Sequence, residues 1–402
     1  MKITAIETVE MPADSELPQL LFVRVHTDEG ISGIGDTYFL PQACREIILR
    51  DMAPVLLGED PCDIERHAST LLSSYFRFGG RGAEVRAWSA VEIALWDILG
   101  KRAGLPVYRL LGGAVRDGIR IYNSCGGAGY ARIAGGGARP GRGRVDAGEL
   151  ADYQAVLERP GELAEELLAE GISGMKFWTF DAAARASGPH RISAPDLRKA
   201  IEPIEKIRAA VGDRMDIMVD FHGQWSLPVA TEIAHALEPY RLTWAEDMML
   251  AEVPAALRKL REATTVPILA SEYLVTRFGY QMMLQAEAMD IAMIDPAWAG
   301  GIAESRRIMA LAEVHGVPVA FHDCAGPINL FAGIHLAVSA QNVMYQETLR
   351  SFMRLVYPKL VTELPAVADG RAFLPGRPGL GTELQPDLVN LPGVVVNWAR
   401  AS

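Results

Sequence analysis

Residues 215–223 read MDIMVDFHG, residues 241–247 RLTWAED, residues 266–272 VPILASE, residues 290–295 DIAMID and residues 317–323 VPVAFHD. Each is a short apolar run, partly β-branched, that stops at a polar or charged residue. Amphipathic stretches between and around them are predicted as helices at 196–210, 228–238, 253–263 and 301–315. Three more runs, IRIYNS at 119–124, GMKFWTF at 174–180 and NVMYQE at 342–347, bring the strands to eight. Eight strands alternating with helices predict a (β/α)8-type barrel. An open doubly wound sheet is the competing arrangement, but no GxGxxG or phosphate-binding loop follows a strand.

The residues that end these runs recur with the length of one βα unit. They are Lys176, Asp220, Glu246, Glu272, Asp295, His322 and Glu347, spaced 44, 26, 26, 23, 27 and 25 residues apart. All strand C-termini of a barrel meet on one face, so these residues are expected at a common mouth. Asp220, Glu246 and Glu272 then occupy three neighbouring strand ends. Carboxylates at close range repel unless protons or a cation intervene. Oxygen ligands without thiolates suit Mg²⁺ or Mn²⁺ rather than Zn²⁺. Taken singly, each carboxylate reads equally as a helix cap or as the partner of a surface Lys or Arg.

Asp295 and His322 place a carboxylate beside an imidazole, which raises its basicity and fixes its tautomer. A structural hydrogen-bonded pair is the other reading. His222 follows Asp220 by two positions, and strand alternation would turn it to the same mouth; a core or loop histidine is the alternative. Lys176 in such a mouth is a cation aimed at a substrate anion. The remaining histidines, His26, His67, His190, His235, His315 and His335, are expected to be structural or superficial. Cys125 and Cys324 are expected to be wall residues.

Outside the barrel, MKITAIETVEM and LLFVRVHTDEG predict a hairpin, and residues 42–57 and 61–76 look helical. AWSAVEIALWDILGKRAG is an apolar helix stopped by Gly104 and Pro106. After Glu347 the chain is rich in Pro and Gly and reads as an irregular return. The Gly- and Arg-rich stretch 125–160 is far longer than a usual βα loop. It reads as a disordered insertion or as a lid over the mouth.

The 402 residues are 50% hydrophobic and 22% charged, which suits a large globular core. The net charge of −11, with no basic run interleaved with aromatics, argues against nucleic acid as partner. An anionic substrate stays open, because a bound metal ion reverses the local sign. No apolar run approaches the roughly 20 residues of a membrane span. The start, MKITAIETVE, alternates like a strand rather than a signal peptide. Four cysteines without a CxxC pair fit a reducing cytoplasm.

These residues resemble the enolase superfamily, specifically its mandelate racemase branch, over almost the whole chain. AWSAVEIALWDILGKRAGLPVYRLLGG, residues 87–113, is similar to that branch's N-terminal signature. Asp220, Glu246 and Glu272 match its Mg²⁺ ligands, Asp295 and His322 its His–Asp dyad, and Glu347 the acid on the last strand. The segment VDFHG, residues 219–223, looks closest to acid-sugar dehydratases similar to galactonate dehydratase, in which the histidine acts as acid. The resemblance implies an α+β capping domain from residues 1–117 and 351–402 over a (β/α)7β barrel at 118–350. It also implies a homo-oligomer, frequently an octamer.

Two positions depart from the pattern. Relatives with KxK on the second barrel strand use the second lysine as a base, and here the run is Lys176-Phe177-Trp178. The usual Glu-Glu-Pro is Glu246-Asp247-Met248. The expected reaction is loss of water from a 2,3-dihydroxy sugar acid, with Mg²⁺ offsetting the enediolate charge. His322 would take the α-proton and His222 would protonate the departing hydroxyl. Lys176 and a protonated Glu347 would bind the carboxylate, with Trp178, Arg77 and Arg81 as further substrate contacts and Arg86 beside them. Loops at 12–19 and 73–86 would read the sugar. A racemase, epimerase or cycloisomerase of the same superfamily, a Schiff-base lyase on Lys176, and a non-catalytic metal- and sugar-acid-binding protein remain alternatives.

Overall fold

The computed structural model describes residues 1–12, 17–77, 79–129, 149–324 and 326–401. The hairpin of the N-terminal region forms from β1 (Ile3–Glu10) and β2 (Leu20–Thr27). A third strand, β3 (Ser32–Tyr38), extends it. Its sequence SGIGDTY is a weak strand signal because of its glycines. Those glycines face the helix Ala83–Ala103: a Cβ on Gly33 or Gly35 would collide with the carbonyl oxygen of Ala94 or Ala90. Close backbone approach thus explains both residues.

The helix Ala83–Ala103 ends at Gly104, whose φ of 67° is left-handed. One broad apolar face is expected for it, but it is buried nearly all round, including Val85, Trp88 and Ile93. The reason is its position between the cap sheet and the barrel. On one side Asp97 accepts from the Ile34 N–H at 3.1 Å. On the other, Glu92 accepts from the N–H groups of Ile302 and Ala303, at 2.6 and 2.8 Å. These groups open the barrel helix Ile302–Val314, where a carboxylate is favoured.

The barrel comprises β4 (Ile119–Ser124), β5 (Gly174–Phe177), β6 (Asp216–Asp220), β7 (Trp244–Glu246), β8 (Ile268–Ala270), β9 (Ile291–Ile294), β10 (Val319–Phe321) and β11 (Val343–Thr348). All neighbours are parallel and in sequence order. The ring closes where β11 pairs with β4, Glu347 opposite Tyr122. That closure excludes the open sheet. Tyr122, Met218, Trp244, Leu269, Met293, Ala320 and Tyr345 fill the interior. Tyr122 meets Trp244 edge-on at 5.4 Å. Burying each large side chain contributes about 1.5–3 kcal/mol, and the layer forms a solid floor under the strand ends.

The C-terminal stretch is more regular than its composition suggests. β12 (Ala366–Ala368) and β13 (Arg371–Phe373) form a hairpin, and β13 adds antiparallel to β4. β14 (Val395–Arg400) pairs antiparallel with β1 and completes a four-stranded cap sheet. The lid expected over 125–160 falls largely, at 130–148, outside the described residues. Beyond it, Asp152 is held by Asn123 Nδ2 at 2.8 Å and by Arg350 at 2.7 Å. Among the described residues no helix is long and apolar enough to cross a membrane.

Candidate active site

The barrel brings the strand-end residues to one mouth. Lys176, on β5, is 2% exposed. Its ammonium lies 2.5 Å from Glu246 Oε1, 3.0 Å from Glu347 Oε1 and 3.8 Å from Asp220 Oδ2. Burial alone would lower its pKa, but Glu246, Glu347 and Asp220 hold it well above the usual lysine value. Three carboxylates around the ammonium disfavour the neutral amine that a Schiff-base nucleophile needs.

Glu347 departs from expectation. Burial raises its pKa, but Lys176, His322 and the Asp323 N–H at 3.0 Å outweigh that and hold it below the usual value. That direction favours the carboxylate form over the neutral acid expected. Sequence order placed it near Lys176 but did not show the ammonium directly against it.

β6 ends at Asp220, and the chain turns sharply at His222, whose φ is 50°. The turn, rather than strand alternation, aims the imidazole. The His222 N–H donates to Asp220 Oδ1 at 2.9 Å. Its Nδ1 lies 3.1 Å from Asp181 Oδ2 and its Nε2 3.5 Å from Asp220 Oδ2. Burial opposes protonation, but Asp220 and Asp181 push the pKa up to about 10. Asp181 escaped the sequence reading. It opens the short helix Asp181–Ser187, five positions past Lys176, and also accepts from Gln224 Nε2 at 2.8 Å.

Across the mouth, His322 Nδ1 lies 2.6 Å from Asp295 Oδ2. Asp295 Oδ1 accepts from the Ala297 N–H at 2.9 Å, which fixes the carboxylate. His322 Nε2 is left facing Cys324 Sγ at 3.4 Å and Glu347 Oε2 at 3.9 Å. Cys324, expected as wall, thus touches that nitrogen. The Trp298 ring leans on the imidazole at 5.1 Å.

Tyr38, Phe39, Lys176, Trp178, Asp220, His222, Glu272, His322 and Glu347 are among the residues lining one cavity of about 30 Å³. That is room for about one water. A second cavity, of about 340 Å³, shares His222 and Tyr273 with it and is lined also by Arg81. Two larger surface grooves, about 590 and 550 Å³, lie away from the strand ends. Arg77 is exposed and lines none of these cavities. Of the loops expected to read substrate, residues 13–16 lie outside the described residues, while Tyr38 and Phe39 supply the cap's contribution.

The three carboxylates stand at adjacent strand ends. Among the described residues, however, no three His, Cys, Asp or Glu side chains converge closely enough to enclose an ion. Glu246 is turned onto Lys176 by one oxygen and onto the Trp244 indole by the other, at 2.8 Å. The donor set nevertheless fits a hard divalent cation. Glu272 Oε2 is buried without a hydrogen-bond partner. Burial, with Asp220, Glu272 and Glu347 adding to it, raises the Glu246 pKa despite Lys176. More negative charge is buried here than the lysine offsets.

Family models match over most of the chain. The C-terminal domain-like model of enolase covers residues 160–388, and the N-terminal domain model of mandelate racemase / muconate lactonizing enzyme covers residues 6–112. The chain belongs to the enolase superfamily. It lies in the mandelate racemase/muconate lactonizing branch of that superfamily. A D-xylonate dehydratase of Haloferax volcanii is 31% identical over 96% of this chain and 88% of its own. A D-galactonate dehydratase of Pectobacterium atrosepticum is 31% identical over 97% and 94%. The crystal structure of an enolase of the mandelate racemase subgroup from Agrobacterium tumefaciens superposes with a TM-score of 0.87 at 41% identity, covering 100% of this chain and 99% of the other.

Within this superfamily a divalent cation is the typical cofactor. The two departures now have a setting. Trp178 stacks on Tyr153 at 5.0 Å and meets His222 edge-on at 5.8 Å, so an apolar wall replaces a second base. Asp247 is buried, accepts from Ser271 Oγ at 2.7 Å, and keeps Oδ1 without a partner. Burial, then Glu272 and Asp220, raises its pKa well above the usual value.

Proposed function

We propose that the protein removes water from a sugar acid, converting a 2,3-dihydroxy carboxylate into a 2-keto-3-deoxy acid. The observation that carries this reading is the placement of two histidines, each on its own carboxylate partner, in the lining of one cavity. β6 and β10 are four strands apart in the closed ring, so His222 and His322 face each other. An elimination needs such a pair: a base on one carbon and an acid on the neighbouring leaving group. The resemblance to D-xylonate and D-galactonate dehydratases supports a sugar acid as substrate.

His322 Nε2 takes the α-proton, while Asp295 on Nδ1 fixes the tautomer and balances the imidazolium that forms. Lys176 meets the substrate carboxylate, and Glu347 orients the ammonium. His222, protonated between Asp181 and Asp220, gives its proton to the departing β-hydroxyl. The enol that results becomes the keto acid. Asp220, Glu246 and Glu272 would hold a Mg²⁺ or Mn²⁺ ion, whose charge offsets the negative charge gathering on the substrate carboxylate. Admission of a sugar acid requires the cavity to widen toward the one beside His222.

Racemisation or epimerisation needs a second base on the opposite face of the α-carbon, and Trp178 stands where the family's second lysine would be. The test is a sugar-acid library assayed with Mg²⁺ for 2-keto-3-deoxy product. Epimer formation without a keto acid would overturn the dehydratase reading.

A further inference from the structure

Arg86 lies in the first turns of the cap helix Ala83–Ala103. Its guanidinium sits 4.0 Å from the centroid of the Trp298 ring and 5.4 Å from that of Phe39. Its Nη1 donates to the Tyr38 carbonyl at 3.2 Å. Trp298 in turn leans on His322 at 5.1 Å. Arg86 does not line the small cavity between the histidines. The side chain expected beside the substrate is thus spent on an aromatic ring.

The same helix face grips the same loop twice more. One turn on, Ser89 Oγ accepts from the Gly300 N–H at 3.0 Å. One turn beyond, Glu92 takes the N–H groups of Ile302 and Ala303. Positions 86, 89 and 92 share a face by helical spacing. Together they hold residues 295–303, the stretch that begins with Asp295. Arg86 also bears on the charge of that carboxylate. Burial raises the Asp295 pKa, and His322 and Arg86 are the cations that oppose it.

We infer that Arg86 is a positioning residue for the base: stacked on Trp298, it holds the Asp295–His322 pair in register and links cap docking to proton abstraction. The inference rests on the proposed role of His322. A contact this far from the chemistry is felt because a displacement of about 1 Å in a reacting group costs up to ~10²-fold in rate.

Two variants test it, Arg86→Met, which keeps the stem but loses charge and plane, and Arg86→Lys, which keeps the charge alone. The first readout is α-proton exchange in D₂O on a sugar acid that the parent enzyme turns over. The second is the NMR signal of the proton between Asp295 and His322, recorded on the protein without substrate. Arg86→Met should lower kcat for exchange roughly 10- to 100-fold with KM within about threefold, and should shift or broaden the NMR signal. Arg86→Lys should fall between it and the parent. A rise in KM with kcat intact would make Arg86 a substrate contact and overturn the inference. Unchanged kcat and signal in Arg86→Met would reduce it to cap–barrel adhesive. Should Arg86→Met fail to fold, Trp298→Phe, which shortens the stack, must show the same loss of kcat; a normal kcat there sinks the idea. If the parent exchanges no acid offered, the dehydratase reading fails, and the NMR signal alone decides for Arg86.

Discussion

Asp181 stands 3.1 Å from His222 Nδ1, joining the loop after β5 to the turn after β6. The contact turns Nδ1 toward a carboxylate and, with Asp220, pushes the imidazole pKa up. Asp181→Asn removes the counter-charge while preserving the shape. Dehydration should then fall roughly 10²-fold, the order a positioned acid contributes, while α-proton exchange survives. The check is keto-acid formation and deuterium incorporation measured on one sample. Equal loss of both would mean that Asp181 supports the fold rather than the acid.

The two histidines should separate cleanly. With His322→Asn the α-proton should neither leave nor exchange with D₂O. With His222→Asn water loss should fail, while exchange at the α-carbon persists. Each loss should be about 10²–10⁴-fold. If His222→Asn dehydrates normally and His322→Asn still exchanges, Lys176 becomes the base to test.

The crowd of carboxylates predicts a response to cations. Chelation should abolish activity, and Mg²⁺ or Mn²⁺ should restore it. Glu246→Gln and Glu272→Gln should each weaken binding of Mg²⁺ in calorimetry. Glu272 Oε2 is buried without a partner, so Glu272→Gln should also raise the thermal midpoint of the chelated protein, by relieving uncompensated charge. Its midpoint should rise less than that of the parent on adding Mg²⁺. Full activity after exhaustive chelation would end the metal assignment.

His335 predicts acid sensitivity away from the mouth. It is buried, with Nδ1 accepting from the Tyr108 N–H at 3.2 Å and Nε2 donating to the Leu380 carbonyl at 3.0 Å. That arrangement requires the neutral ring. Burial, partly offset by the Leu380 carbonyl, lowers its pKa from 6.5 to about 4. The unfolded chain therefore binds the proton first. The stability this site contributes is intact above pH 6.5 and is lost as pH falls toward 4, by on the order of 3 kcal/mol. Urea unfolding of the parent and of His335→Gln at pH 7.5 and 4.5 should show the smaller acid loss in the variant. Parallel losses would refute the assignment.

The barrel was legible because each strand carries its own signal: an apolar run, then one polar residue about 25 positions after the last. The closing pair of Glu347 with Tyr122 follows from the count of eight. Asp181 and Cys324 were not read as parts of the site, and Arg86 was read as a substrate contact rather than a neighbour of Trp298. They reach it from beyond the strand ends or from another layer, where no period places them. His222 adopts left-handed backbone, with φ of 50°, so it reaches the expected mouth by a turn rather than by strand alternation. The 3.0 Å approach of Glu347 to Lys176, which lowers the Glu347 pKa, is not encoded in the spacing. β3 and β14 were hidden by glycines and by lack of a local partner signal.

The pairing of β14 with β1 orders events on the ribosome. β1 spans residues 3–10, yet its outer neighbour spans 395–400, so all the chain between them must be made before that edge is covered. Throughout translation the nascent chain displays an unpaired strand rim, the kind of surface that recruits other strands. The barrel can close as soon as β11 emerges, but the cap is sealed last. A stalled product that lacks β14 would carry that open strand edge, the kind of surface chaperones cover.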